Sequence, residues 1–394
     1  MNGLSTSRRE QIFYRATAIE RIVQGMPYVD AVLAELDHYG YSKVHVVTGQ
    51  SLCRSPLFAS LVSGLGNRLA GVSAGIPAHT PRPDVLRAAE EVRLSGADVL
   101  VALGGGSVID AVKMIQLCVW NEIKSYNDFD RFVAAARADP STRPDTVAYK
   151  LRAIAVPTTF SAAEFNWYAG CTDPQRSAKH GYSHPYFVPR TVVLDPAATA
   201  ATPLDLLLST GLKAVDHAVE RLCSKSANLF SDTLSEKALH LLSAALPAIA
   251  KDRSDQGALA AAQIGMWFST SGSAAGVPTG ASHGIGHQLG AYCGVPHGLT
   301  SCVLLSAVLQ WNEKDDGARQ QIVSRAMNFD GPAWKAVRDL VTGIGLPARL
   351  RDVGVTRDQF EPVAKRAMQD RSTLQNPRRI ASQEDVLEIL ELAW

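Results

Sequence analysis

Hydrophobic positions change their period about halfway along the 394-residue chain. Between residues 28 and 104 short apolar runs alternate with stretches whose apolar residues recur every three or four positions. Residues 44–48, 69–72 and 98–101 read as strands, and residues 28–38, 57–65 and 83–94 as helices. Apolar runs at 153–156 and 191–194 supply two more strands, the second of them the last. Alternation of this kind predicts a parallel sheet with helices on its faces. The polar, turn-rich stretch 134–146, with Asp139-Pro140 and Arg143-Pro144, reads as a loop leaving the sheet. After Pro203 the period is helical throughout, with runs at 206–223, 234–249, 258–270 and 334–342. The expected fold is therefore α/β and Rossmann-like over residues 1–199, followed by an all-helical domain over residues 200–394. Two domains suit the length, which exceeds what one hydrophobic core usually supports.

The strand entering Gly104 continues as Gly104-Gly105-Gly106-Ser107-Val108-Ile109-Asp110 and opens a helix. Glycines without Cβ atoms let a backbone approach phosphate oxygens, and the following helix offers unpaired N–H groups and the positive end of its dipole. Ser107 and Asp110 have the spacing of a capping box. An ordinary strand-to-helix turn has the same local appearance, so other segments must decide. Thr48-Gly49-Gln50-Ser51 lies at the end of the first strand, and ligands of such sheets collect beyond the carboxyl ends of the strands.

Composition narrows the partners. Lysine plus arginine, 39, nearly balances aspartate plus glutamate, 38, which disfavours nucleic acid and membrane surfaces. Six scattered cysteines without a Cys-x-x-Cys pair argue against a disulfide scaffold or thiolate metal site and fit a reducing compartment. Residues 1–20 are polar, and no stretch approaches twenty uninterrupted apolar residues, so neither secretion nor membrane insertion is expected and the cytoplasm is the expected location.

Three of the ten histidines, His283, His287 and His297, fall within fifteen residues. The first two are four apart and share one face of a helix. Between them stands Gly-Ile-Gly, so the zinc-protease pattern, which needs a glutamate beside the first histidine, is absent. His217 lies in the helical segment 211–220, four positions after Lys213. Each histidine alone reads more readily as a structural residue than as a ligand; four of them beside a candidate cofactor turn point to chemistry.

Together these segments resemble the iron-containing, group III alcohol dehydrogenases, whose relatives include maleylacetate reductases and, more distantly, dehydroquinate synthase. The resemblance spans essentially the whole chain. It rests on Gly104 through Lys113, on Pro157-Thr158-Thr159 with Glu164, on Gly211 through Glu220, and on His283-x-x-x-His287 with Val295-Pro296-His297-Gly298. It implies a cleft between a dinucleotide-binding domain and a helical domain, occupied by NAD or NADP and a small carbonyl or alcohol substrate. The implied cofactor set is Gly49, Gln50, Gly104, Gly105, Gly106, Ser107, Asp110, Thr158, Thr159 and Lys179, with the pyrophosphate on residues 104–107 and the nicotinamide beside the two threonines. No acid follows the first strand to hold free ribose hydroxyls, which admits NADPH without excluding NADH. Lys179 and Arg190 are candidates to bind a substrate carboxylate.

The family's divalent metal, iron or zinc, is held by an aspartate and three histidines, and the histidine positions match His217, His283 and His297. The aspartate position carries Lys213 instead. An ammonium about 4 Å from a dication is opposed by roughly 8 kcal/mol at an effective dielectric near 20. Metal is therefore disfavoured, and Lys213 becomes the candidate to stabilise the oxygen that gains negative charge when hydride reaches a carbonyl. His287 or His283 would deliver the proton, and His217 completes the catalytic set. The alternatives are a solvated Lys213 paired to Asp216 or Glu220, a metal-dependent alcohol dehydrogenase, and a lyase or cyclase recycling its bound nucleotide. The loss of the aspartate and the run Pro157–Phe165 resemble the maleylacetate reductase branch, whereas Pro296-His297-Gly298-Leu299 resembles the alcohol dehydrogenases. A symmetric homodimer is the default assembly.

Overall fold

The computed structural model describes residues 14, 16–136, 151–176 and 178–394. A six-stranded parallel sheet is built from β1 (Arg21–Gln24), β2 (Val44–Gly49), β3 (Leu69–Ile76), β4 (Val99–Gly104), β5 (Arg152–Pro157) and β8 (Thr191–Leu194). Its order is β1-β8-β5-β4-β2-β3. Every residue of β4 and β5 is buried, which is why these strands read as unbroken apolar runs: helices cover both faces. The helices of this half are α1 (Tyr28–Tyr39), α2 (Pro56–Leu65), α3 (Arg82–Ser95), α4 (Gly106–Trp120) and α5 (Asp130–Ala136).

The chain runs from β2 outward to β3 and then returns across β2 to β4, so the direction of strand addition reverses between β2 and β4. A crevice opens at such a reversal, beyond the carboxyl ends of the strands. Thr48 pairs in register with Leu103, and Gly104 with Pro157, so Gly49, Gly104 and Thr158 emerge side by side.

Two elements depart from the pattern reading. The short edge strand β1 carries too few alternating residues to stand out. Strands β6 (Tyr168–Asp173) and β7 (Ala178–Ser183) form an antiparallel hairpin outside the parallel sheet. Within the stretch read as a loop, residues 134–136 end α5, and the turn signals at Asp139-Pro140 and Arg143-Pro144 lie outside the described residues.

The hairpin is tied down by Arg82, the first residue of α3, which is completely buried. Its guanidinium pairs with Asp173 at 3.1 Å and Asp130 at 2.9 Å and donates to Tyr182 Oη at 3.0 Å. The two-residue bridge Pro81–Thr172 fixes the same junction through backbone contacts. Lys113 of α4 anchors the other end of the hairpin by donating to the carbonyls of Ala163 and Tyr168.

From Pro196 the chain is helical: α6 (Pro196–Ala200), α7 (Leu204–Cys223), α8 (Leu229–Lys251), α9 (Gln256–Ser271), α10 (Ala281–Cys293) and α11 (His297–Ala326). α12 (Ala333–Gly343), α13 (Phe360–Ala367), α14 (Arg371–Leu374) and α15 (Gln383–Leu392) complete it. Helix α7 runs through the middle of this core, with Leu208, Leu212, Val215 and Val219 buried among residues of α8, α9 and α11. Phe160, Val192 and Leu194 from the sheet half join the same cluster, so the two halves share apolar packing below the crevice.

Replacing Arg82 with Met leaves the Asp173 carboxylate without its buried countercharge. Arg82→Met is expected to lower the thermal unfolding midpoint by several degrees in a melt followed by circular dichroism.

Candidate active site

The cofactor end of the crevice is built by the glycine turn. Helix α4 begins at Gly106, with Gly105 as its N-cap and no side chain capping it. This corrects the capping-box reading: Ser107 is already helical, and its hydroxyl accepts from His79 N–H at 3.3 Å. Asp110 turns away to accept Gly170 N–H at 3.1 Å, joining α4 to the hairpin. The first amides of α4 are thereby left without a side-chain acceptor, which suits an anion. A Cβ on Gly105 would fall 2.8 Å from Thr159 Cγ2, so only glycine keeps the turn against that threonine.

Thr158 is held by the strand ladder, its N–H donating to Gly104 O at 3.1 Å and its carbonyl accepting from Thr202 Oγ1 at 2.6 Å. Thr159 is buried, yet its hydroxyl has no hydrogen-bond partner among the described residues. Gly49 closes β2 against Val108, and Gln50 is exposed beyond it. Lys179, on β7, lies across Gly170 and carries its charge toward His79 and His297. Arg190 points elsewhere: it pairs with Glu20 at 2.8 Å and stacks on Tyr39, at the amino-terminal side of the sheet. It is not a cleft cation.

The helical half contributes the second wall. Lys213 and His217 project from α7, His283 and His287 from α10, and His297 from the first turn of α11. The rings of His217 and His283 stack 4.8 Å apart, His283 and His287 meet edge to face at 6.4 Å, and His287 stacks on His297 at 6.1 Å. All four histidines singled out in the sequence are thus one continuous cluster.

Lys213 is not solvated. Its side chain is 4% exposed, and its Nζ lies 3.5 Å from Asp216 Oδ2 with no hydrogen-bond partner among the described residues. Burial pulls its pKa below the usual lysine range, and the charges of Asp216 and Glu220 resist that fall. Asp216 is itself fixed by the hydroxyls of Ser282, at 3.0 Å, and Ser301. Glu220 accepts the N–H groups of Gly280 at 2.8 Å and Ser282 at 2.7 Å, and binds His283 Nδ1 at 2.6 Å. Two carboxylates from one helix therefore clasp the start of α10 and orient His283. Its Nε2, like Nδ1 of His217, is buried without a partner among the described residues.

Burial drives the pKa values of His217 and His283 well below the ordinary value, with Lys213 adding to the effect. His297 is open to the cleft, and there the charge of Lys213 is the leading cause of a similar fall, ahead of desolvation by the surrounding protein. Glu164, a residue of the Pro-Thr-Thr segment, sits outside this cluster beside Lys113, and burial pushes its carboxyl up to about 7.

Comparison with known proteins agrees with this architecture. Residues 20–196 match the iron-containing alcohol dehydrogenase model, and residues 207–394 match its C-terminal counterpart. The chain belongs to the iron-containing alcohol dehydrogenase family. A dehydrogenase of Alternaria alternata is 32% identical over 390 residues, covering 90% of this chain and all of the relative. The maleylacetate reductase of Sphingobium indicum is 27% identical, covering 95% of both chains. The solved structure of maleylacetate reductase from Agrobacterium tumefaciens superposes with a TM-score of 0.81 at 26% identity, covering 98% of each chain. The protein is an oxidoreductase of this family, with the cofactor chemistry of NAD(P). Among the described residues no helix is long and apolar enough to cross a membrane.

The sequence reading missed the acceptors that hold the cluster from outside. Asp370, 83 residues beyond His287, binds His287 Nδ1 at 2.9 Å. No local periodicity could have signalled it.

In the unfolded chain His217, His283 and His297 take up protons near the ordinary value of 6.5, whereas the fold keeps them neutral. The unfolded state then binds more protons, so stability falls as pH drops through and below that value. Thermal melts between about pH 7.5 and about pH 5 should show a falling midpoint, with a shallower slope in His297→Gln.

Proposed function

We propose that the protein reduces the carbonyl of a small keto acid or aldehyde with NADH or NADPH, without a catalytic metal and with Lys213 as the electrophile. The observation that carries this reading is the buried Lys213 ammonium at the family's aspartate position, in contact range of Asp216 and electrostatically leading at His297.

The donors present do not suit a dication. A cation among His217, His283 and His297 would face the ammonium, and the repulsion, roughly 8 kcal/mol at 4 Å and an effective dielectric near 20, exceeds what one imidazole contact returns. A displaced site could use Asp216, Glu220 and His283, whose donor atoms lie within 4.8 Å of one another. Glu220 is engaged by two amides and His283 Nδ1, and Asp216 Oδ2 by two hydroxyls and Lys213. Asp216 Oδ1 and His283 Nε2 have no partner among the described residues, but an ion held there would still face the Lys213 ammonium, 3.5 Å from Asp216 Oδ2.

The glycine turn and α4 amides fit a nucleotide diphosphate, and the unpartnered Thr159 hydroxyl beside Gly105 fits the ring end of the cofactor. A bound reduced nicotinamide supplies hydride. Lys213 binds the substrate oxygen and stabilises the charge that develops on it, in a setting where Asp216 keeps the ammonium protonated and fixed. His287, whose side chain is 44% exposed, takes a proton from solvent and passes it to that oxygen from Nε2. Lys179, exposed on the hairpin opposite His297, holds a carboxylate when the substrate has one. On this division residues 1–199 bind the cofactor and, through Lys179, a substrate carboxylate, while residues 200–394 supply the groups that act on the substrate carbonyl.

Turnover is expected to survive chelation, and metal analysis of the purified protein to find no stoichiometric iron or zinc. Stoichiometric metal with chelator-sensitive turnover overturns the metal-free reading. Lys213→Met should lower kcat at least tenfold while leaving nucleotide affinity, read by fluorescence, unchanged; loss of under threefold removes the electrophile role. Lys213→Asp recreates the family ligand set and is expected to bind one divalent ion per chain. A substrate that is converted with no net change in nicotinamide absorbance would indicate the recycling lyase instead.

A further inference from the structure

The carboxylate behind His287 is held more firmly than a surface contact would be. Asp370 is the residue before α14, and its two oxygens have separate duties: Oδ1 accepts Ser372 N–H at 2.8 Å, and Oδ2 accepts from His287 Nδ1 at 2.9 Å. The segment that carries it is braced at its far end. Asn376 exchanges side-chain hydrogen bonds with Asn312 of α11, at 2.7 and 3.1 Å, and its Oδ1 accepts Ala281 N–H at 3.4 Å. Between these anchors the segment lies directly on α10. A Cβ at Gly284 would fall 2.4 Å from Thr373 N and 3.0 Å from Thr373 Cα, so glycine at that position admits the segment.

Asp370 is 17% exposed where His287 is 44% exposed, so the carboxylate lies on the protein side of the ring. Partial burial pushes the Asp370 carboxyl up, but the bonds from His287 and the amides of Ser372 and Thr373 outweigh it and the group stays below the usual range. The groups facing His287 are Asp370 from this segment, His283 on its own helix and His297 on α11; Lys213 stands behind the last two.

We propose that Asp370 is a positioning residue for His287: by accepting from Nδ1–H it fixes the ring orientation and tautomer and leaves Nε2, on the opposite edge, to exchange the proton. The proposal rests on the reading of His287 as proton donor. It also separates the two candidate donors. His283 is sealed by Glu220 and burial, whereas His287 has an ionised carboxylate behind it and water in front. A charged acceptor at 2.9 Å holds the ring in one orientation and one tautomer.

The test is a double-mutant cycle with a tautomer readout. Asp370→Ala should lower kcat about 10- to 100-fold with nucleotide affinity unchanged, and should cause no further loss in a His287→Ala background. Asp370→Asn has one acceptor oxygen for these two duties, so it keeps either the His287 bond or the Ser372 cap and should recover only part of the lost rate. Nitrogen-15 spectra of His287 should show the Nδ1–H tautomer in the parent and its loss in Asp370→Ala. An equal loss from Asp370→Ala with or without His287, or an unchanged His287 spectrum, overturns the positioning role. If His287→Ala turns over at the parental rate, the proton-donor reading fails instead, and the spectra alone decide whether Asp370 sets the tautomer.

Discussion

The site depends on one buried electrostatic arrangement: an ammonium held out of water against two carboxylates, with neutral imidazoles filling the space around it. Lys213, Asp216 and Glu220 lie along one helix, and none of them would be stable as a lone charge in this location. Taking any one charge out of water costs several kcal/mol, and only mutual attraction together with hydrogen bonds to the remaining lone pairs offsets that cost. The structure supplies those bonds from the start of α10 and from α11, through Ser282, Ser301 and the amides of Gly280 and Ser282. The charges at the centre of α7 thus specify where α10 begins, and α10 in turn places His283 and His287.

The same logic governs the other wall. A parallel sheet whose strand order reverses between β2 and β4 leaves a crevice there, but the crevice becomes a binding site through what borders it. The glycine turn presents helix amides, and the hairpin β6–β7 brings Lys179 across the opening. Arg82 holds that hairpin from below by ion pairs with Asp173 and Asp130. Shared apolar packing of Phe160, Val192 and Leu194 with the helical core keeps the two walls facing each other.

Much of this is legible along the chain, and the physical reason differs by element. Buried parallel strands must be apolar throughout and amphipathic helices must repeat near 3.6 residues, so β2, β4, β5, α1, α3 and α7 read directly. The glycine turn reads because close backbone approach demands missing Cβ atoms. The edge strand β1 and the hairpin β6–β7 do not read, since their half-exposed residues alternate weakly and their pairing depends on a partner elsewhere. Ser107 and Asp110 mislead for a related reason. Their spacing satisfies a capping box, yet Asp110 finds a better acceptor role with Gly170, sixty residues away.

By itself the sequence determined the order of sheet and helices, the glycine turn, the clustering of His283, His287 and His297, and the replacement of an aspartate by Lys213. The first three follow from local chemistry and spacing, which survive in one dimension; the last follows from comparison with the family the chain resembles. Whether Lys213 snorkels to water or stays inside, which carboxylates accompany it, and that Asp370 stands behind His287 were decided only in the tertiary structure. Burial and hydrogen bonding between residues up to 83 positions apart are properties of packing, and packing leaves no periodic trace in the chain.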